Sequence, residues 1–151
     1  MNLHRFTSVF ASLAVILAAV QAQAGSPNYG NVLHHAQEAK SFCVDALPIT
    51  FSVPNTYQTL RAAIYNRFNY MKSLSDKIAL LTPQGDAKRA EMLLGAKTLK
   101  QEAKVVEGLI KQLDDKADQA NDHSTEHKAH DLRNLINKVQ SRANNLVNQL
   151  D

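Results

Sequence analysis

His123, His127 and His130 stand at intervals of four and three residues, a spacing that puts side chains on one face of a helix. Imidazoles so arranged suit Zn²⁺, Cu²⁺ or Ni²⁺. Asp122, Glu126 and Asp131 lie beside them in sequence. Geometry restricts the site. His123 and His130 would lie roughly 10 Å apart along one helix axis, whereas zinc–nitrogen bonds are about 2 Å long. A two-histidine grip completed by Glu126 or water is the chemistry on offer, and a solvated polar stripe is the plainer reading. His34 and His35 are adjacent, so on a helix they point about 100° apart and chelate poorly alone. They would join the first group only if the helix ends meet.

Cys43 is the only cysteine. A nucleophilic thiol needs a base within hydrogen-bond reach and an electropositive setting. The local sequence SFCVDAL supplies neither. A buried structural thiol is the expectation, since free cysteine packs as a small hydrophobe. An intermolecular bridge is the alternative. Tyr57, Tyr65, Phe68 and Tyr70 accompany Arg61 and Arg67 over fourteen positions. Tyrosine and arginine are enriched at binding hot spots. Tyr57 and Phe68 fall on an apolar seam, which leaves Arg61, Tyr65 and Tyr70 as the candidate protein-binding residues. There is no C-x-x-C-H, Gly-rich phosphate loop, G-x-S-x-G or H-E-x-x-H, so neither a catalytic residue nor a resident cofactor is expected.

The chain opens on a targeting pattern. Arg5 precedes an apolar run from Val9 to Val20, and Ala22-Gln23-Ala24 follows. Those three parts make a secretory signal peptide, with cleavage expected after Ala24. The run is short for a bilayer span, which takes about 20 residues. No later stretch is apolar enough to span, so a periplasmic or secreted protein without an anchor is expected. Removing Arg5 from the 17 basic residues leaves 16 against 14 acidic ones. That near-neutral balance gives no reason to expect nucleic acid as a partner. The remaining chain, roughly 127 residues, suits one domain.

Helices must position these residues. After a polar lead-in, residues 25–30, read as flexible, the domain over 31–151 shows apolar spacings of three and four almost throughout. Val32, Ala36, Ala39, Cys43 and Ala46 make a first, shorter helix that Pro48 should end. PITFSVP, 48–54, alternates apolar and polar residues and reads as an extended connector that tucks its apolar side chains against the bundle. Asn55 or Thr56 should cap a second helix with the seam Tyr57, Leu60, Ile64, Phe68, Met71, Leu74, Ile78 and Leu81. Thr82 to Asp86 is a stop and restart, with Asp86 as the next cap. A third helix to Asn121 carries Met92, Ala96, Leu99, Ala103, Val106, Ile110, Leu113 and Ala117. Leu94 and Val105 are expected to widen that face, and Leu93 to be exposed. A fourth helix carries Leu132, Ile136, Val139, Ala143, Leu146 and Leu150. One continuous helix from Asp86 to Leu150 is the alternative to a break near Asn121.

The expected fold is therefore all-α: an elongated antiparallel bundle of three long helices and a shorter first one. The function expected is non-enzymatic protein–protein binding, as an adaptor or chaperone-like protein with an unidentified partner. The alternatives are metal binding or buffering through the histidine stripe, and a secreted effector acting on membranes or a host. The exposed Leu93, and a long third helix that overhangs its neighbours, leave room for a homodimer.

Overall fold

A computed structural model describes residues 25–151; the signal peptide expected over 1–24 lies outside them. Four helices account for almost all of this chain: α1 Tyr29–Phe51, α2 Gln58–Leu81, α3 Arg89–Gln119 and α4 His123–Leu150. Two short 3-10 turns, Asn55–Tyr57 and Thr82–Lys88, join the first pair and the second to the third. There is no strand among the described residues. The protein is an all-α helical bundle. In it α1 packs on α2 and α4, and α3 packs on α2 and α4, which closes a ring around one core.

The heptad spacing builds that core. α2 contributes Ile64, Phe68, Met71 and Ile78, α3 Met92, Leu99, Ile110 and Leu113, and α4 Leu132, Ile136, Leu146 and Leu150, all buried. α1 contributes chiefly small residues, Val32, Ala36, Ala39, Cys43 and Ala46. Large side chains on three helices thus meet small ones on the fourth, the alternation that close packing requires. Gly95 does the same work locally: a Cβ there would lie 3.3 Å from Cγ1 of Ile78. Ser75 and Thr82 occupy inward positions where the seam read from sequence ran through Leu74 and Leu81. Each hydroxyl is satisfied by a carbonyl of α2, Met71 for Ser75 and Ala79 for Thr82.

The connections depart from the sequence reading in instructive ways. α1 does not end at Pro48 but runs through it to Phe51, so residues 48–51 are helix rather than an extended connector. Proline removes one N–H and crowds the preceding turn. Here both Pro48 and Val44, whose carbonyl loses its donor, face solvent. The inward spacing Cys43, Ala46, Thr50, Val53 continues unbroken, and burial of that series outweighs the local cost. With 23 residues, α1 is also nearly as long as the 24-residue α2. Neither Asn55 nor Thr56 caps α2 through its side chain; Tyr57 precedes it, uncapped. Asp86 does not cap α3 either. Its carboxylate accepts hydrogen bonds from Ser26 and from Tyr29, both at 2.6 Å.

Helices α3 and α4 are separate, which removes the single-long-helix alternative. Asn121 takes φ 53°, a left-handed conformation that asparagine tolerates. Asp122 N–H donates to Ala117 and Asn121 N–H to Asp118, the paired bonds of a Schellman stop. Asp122 then caps α4 by accepting from Thr125 N–H at 3.1 Å. On α3 the expected exposures are exchanged. Leu93 packs against the core, while Leu94 is 67 % exposed and Val105 40 % exposed. Leu94 lies two residues, about 200°, past the inward Met92, so it points away, whereas Leu93 flanks the seam.

Candidate functional site

Two of the three residues singled out for protein binding come together. The C-terminal turn of α1 delivers Phe51, and the N-terminal part of α2 delivers Arg61 and Tyr65, one turn apart. The Phe51 and Tyr65 rings lie 6.5 Å apart between centroids and are tilted by 59°. With Ala62 and Asn66 they line a shallow groove of about 260 Å³. Phe51 is 74 % exposed, the most exposed large apolar side chain among the described residues. Arg61 donates from Nη1 to the carbonyl of Val53 at 2.9 Å, which fixes its stem along the α1–α2 connection. Lys128 of α4 donates to the neighbouring Ser52 carbonyl at 2.8 Å. The connection is thereby clamped from both sides, and the groove edge is cationic. An exposed aromatic pair beside a guanidinium has the composition of a hot spot that anchors a partner side chain.

Tyr70 does not join them. It is 47 % exposed, and five residues beyond Tyr65 it lies about 140° further round α2. Phe51 is the member that sequence reading missed. Reading 48–54 as an extended connector tucked its apolar side chains inward. Continuing the buried series of α1 through Thr50 and Val53 instead leaves Phe51 on the outer side.

The histidines of α4 fall as expected on its solvent face, all three exposed, at the end of the bundle that also holds the groove. His123 Nδ1 lies 3.4 Å from Glu126 Oε2, while Glu126 Oε1 is buried without a hydrogen-bond partner. No group of three metal-ligating side chains forms among the described residues. His34 and His35 do not meet this group. His35 lies against Arg142 of α4, whose Nη1 donates to Nδ1 at 2.9 Å. Arg142 is 19 residues from His123, about 28 Å along the helix. Burial, then the Arg142 charge, push the His35 pKa below its ordinary value.

Cys43 is fully buried on the inner face of α1. Burial pushes its thiol up to about 12, which keeps it protonated and unreactive near neutral pH. A second open groove, of about 540 Å³, lies between α3 and α4. Its charged walls are engaged with each other, Lys111 with Asp115 and Arg133 with Asp114, both at 3.0 Å. At the opposite end of the bundle Arg89 donates to the carbonyls of Gly25, Leu150 and Asp151. The residues 25–28 are thus held to the starts of α1 and α3 and the end of α4.

No protein-family model, no curated protein and no solved structure matches this chain.

Proposed function

We propose that this is an exported, non-enzymatic antiparallel bundle that acts by binding another protein at the Phe51–Arg61–Tyr65 groove, as an adaptor or chaperone-like protein. The single observation that carries the reading is Phe51, largely exposed yet held on a helical turn beside Tyr65 and Arg61. A lone exposed apolar residue is ordinary. One that forms an aromatic pair with a guanidinium at its edge has the composition of a binding anchor. The antiparallel arrangement is supported by Arg89, first in α3, bonding Leu150, last in α4, and by the Arg133–Asp114 pair further along. Export is supported by Arg5, the apolar run and Ala22-Gln23-Ala24. The non-enzymatic reading is supported by the buried thiol of Cys43 and by the charged groove between α3 and α4, where Lys111 pairs with Asp115 and Arg133 with Asp114. No helix among the described residues is long and apolar enough to cross a membrane.

The test is site-specific crosslinking in the native cell. A photoreactive residue at position 62, inside the groove, should give a discrete adduct with one protein. Phe51→Ser should abolish that adduct while leaving the circular dichroism spectrum unchanged. Adduct formation indifferent to Phe51→Ser, or none beyond that of a control position on another face, would overturn the reading.

A further inference from the structure

The outer face of α3 carries a second pattern, on a different part of the molecule. Leu94, Thr98, Gln101, Val105, Gly108 and Gln112 recur at steps of four and three. Leu94 and Val105, eleven residues apart, fall within about 20° of each other on the helix. Both are exposed, 67 % and 40 %. A Cβ at Gly108 would meet nothing within 4 Å, so the seam is open there. This seam, on the solvent side of the helix, is uncharged and apolar at Leu94 and Val105, and its steps of four and three are those at which a second helix packs.

The two flanks of this seam differ in charge. On one side Glu91 and Glu102 are already engaged, Glu91 by Lys77 and Lys88, Glu102 by Arg67. On the other side stand Lys97, Lys100 and Lys104, all exposed and none in an ion pair among the described residues. On the same flank Glu107 accepts a hydrogen bond from Gln140 of the adjoining α4 and Asp115 is paired with Lys111, while the outer α4 positions Asn137, Ser141, Asn144 and Asn148 are exposed and uncharged, so the stretch from Lys97 to Lys104 keeps its positive charge. We propose that this face docks an amphipathic helix of another protein whose seam is apolar and whose facing flank is acidic. Leu94 and Val105 supply the apolar contacts, Gly108 admits a bulky side chain, and the three lysines set orientation.

The charge pattern also says what does not fit. Two copies of α3 docked antiparallel would set the lysine flank against itself. Docked parallel, they would set it against Glu91 and Glu102, whose carboxylates are occupied. An anionic lipid surface would welcome the lysines. Thr98 and Gln101 between Leu94 and Val105 would find no hydrogen-bond partner among acyl chains, however, whereas polar side chains of a docked helix can pair with them, and interfacial binding scales with apolar area alone.

The experiment uses the chain from Gly25 to Asp151 and a fluorescent synthetic amphipathic helix with leucines on its seam and glutamates on one flank. Anisotropy should report binding that weakens about tenfold or more with Leu94→Asn, and likewise with Lys97→Glu plus Lys104→Glu. A lysine-flanked peptide should recover binding to the charge-reversed variant. All three substitutions are on exposed positions, and circular dichroism confirms the fold of each. Absence of binding overturns the proposal. So does binding that ignores Leu94→Asn, which reduces it to diffuse charge attraction. Tighter association with phosphatidylglycerol vesicles than with the peptide would assign the face to a membrane. A dimer in light scattering that Leu94→Asn dissolves would assign it to a second copy.

Discussion

The phenol of Tyr57 donates to the carboxylate of Asp122 at 2.9 Å, joining the start of α2 to the cap of α4 across 65 residues of chain. The same carboxylate accepts from the Thr125 hydroxyl at 2.7 Å and its amide at 3.1 Å. One residue therefore stops a turn, starts a helix and ties two helices together.

This junction gives a pH dependence with two arms. The Thr125 hydroxyl and amide, with Tyr57, hold the Asp122 carboxyl below its ordinary 3.8. A depressed acid contributes stability above its unfolded pKa and loses it as pH falls through the folded one. Burial, then the bond to Asp122, raise the Tyr57 phenol above its ordinary 10.0. That contribution is intact below pH 10 and is lost as pH rises through the raised value. Asp122→Ala should lower the melting temperature at pH 7 and flatten the decline below pH 4. Tyr57→Phe should instead blunt the alkaline decline. Melting curves of both variants from pH 2 to 11 check this. Unchanged profiles in both would break the link.

Pro48 offers a test of the helix that sequence reading cut short. Its side chain faces solvent, and the position continues an α-helix. Replacing it by alanine restores an N–H to the Val44 carbonyl. Proline in a helix interior costs about 3 kcal/mol relative to alanine, so Pro48→Ala should stabilise by roughly 1–3 kcal/mol in urea unfolding. Were the helix to end at Pro48, the substitution would be neutral or harmful.

Cys43 should be chemically silent in the folded protein. Its thiol is buried and its pKa is pushed up to about 12. A thiol-specific chromogenic reagent at pH 8 should label it only as the bundle unfolds, at a rate that follows unfolding. Fast labelling of native protein would mean that α1 is detached from the ring.

The helices, their inner faces and the break at Asn121 are legible in the sequence because burial at steps of three and four is a strong, repeated signal. The burial of Cys43, Tyr57 and Phe68 follows from the same register. Residues 48–51 are helix where proline and a short alternation suggest a connector, because both are local signals. The register of α1 is longer-ranged, and it decides. The groove at Phe51 is hidden from the sequence for the same reason. The partners of Asp86, Ser26 and Tyr29, were invisible because they lie 60 and 57 residues away. Spacing within one helix says nothing about which helix ends meet. For the same reason the separation of His35 from His123 could be read only from the fold.

The histidine face predicts weak metal binding at most from a single chain. His123 and His127 are spaced for two imidazole ligands, and no set of three side chains placed to hold one ion forms among the described residues. Equimolar Zn²⁺ should leave the solution mass unchanged, and any binding seen by calorimetry should vanish in His127→Ala. A zinc-dependent dimer lost in that variant would show that a second copy completes the site, and metal would then lead over protein binding.

Two glycines on α3 make an internal comparison. Gly108 faces solvent with nothing within reach of an added Cβ, so Gly108→Ala should gain the full helix preference, about 1 kcal/mol. Gly95 has the same backbone preference to gain. Its added Cβ would press to 3.3 Å on Ile78, a side chain almost wholly buried in the core, with little room to yield. Denaturant melts should rank Gly108→Ala above wild type and Gly95→Ala below Gly108→Ala. Equal gains at both sites would mean that α2 and α3 can move apart at little cost, and that the close approach there is not what holds them in register.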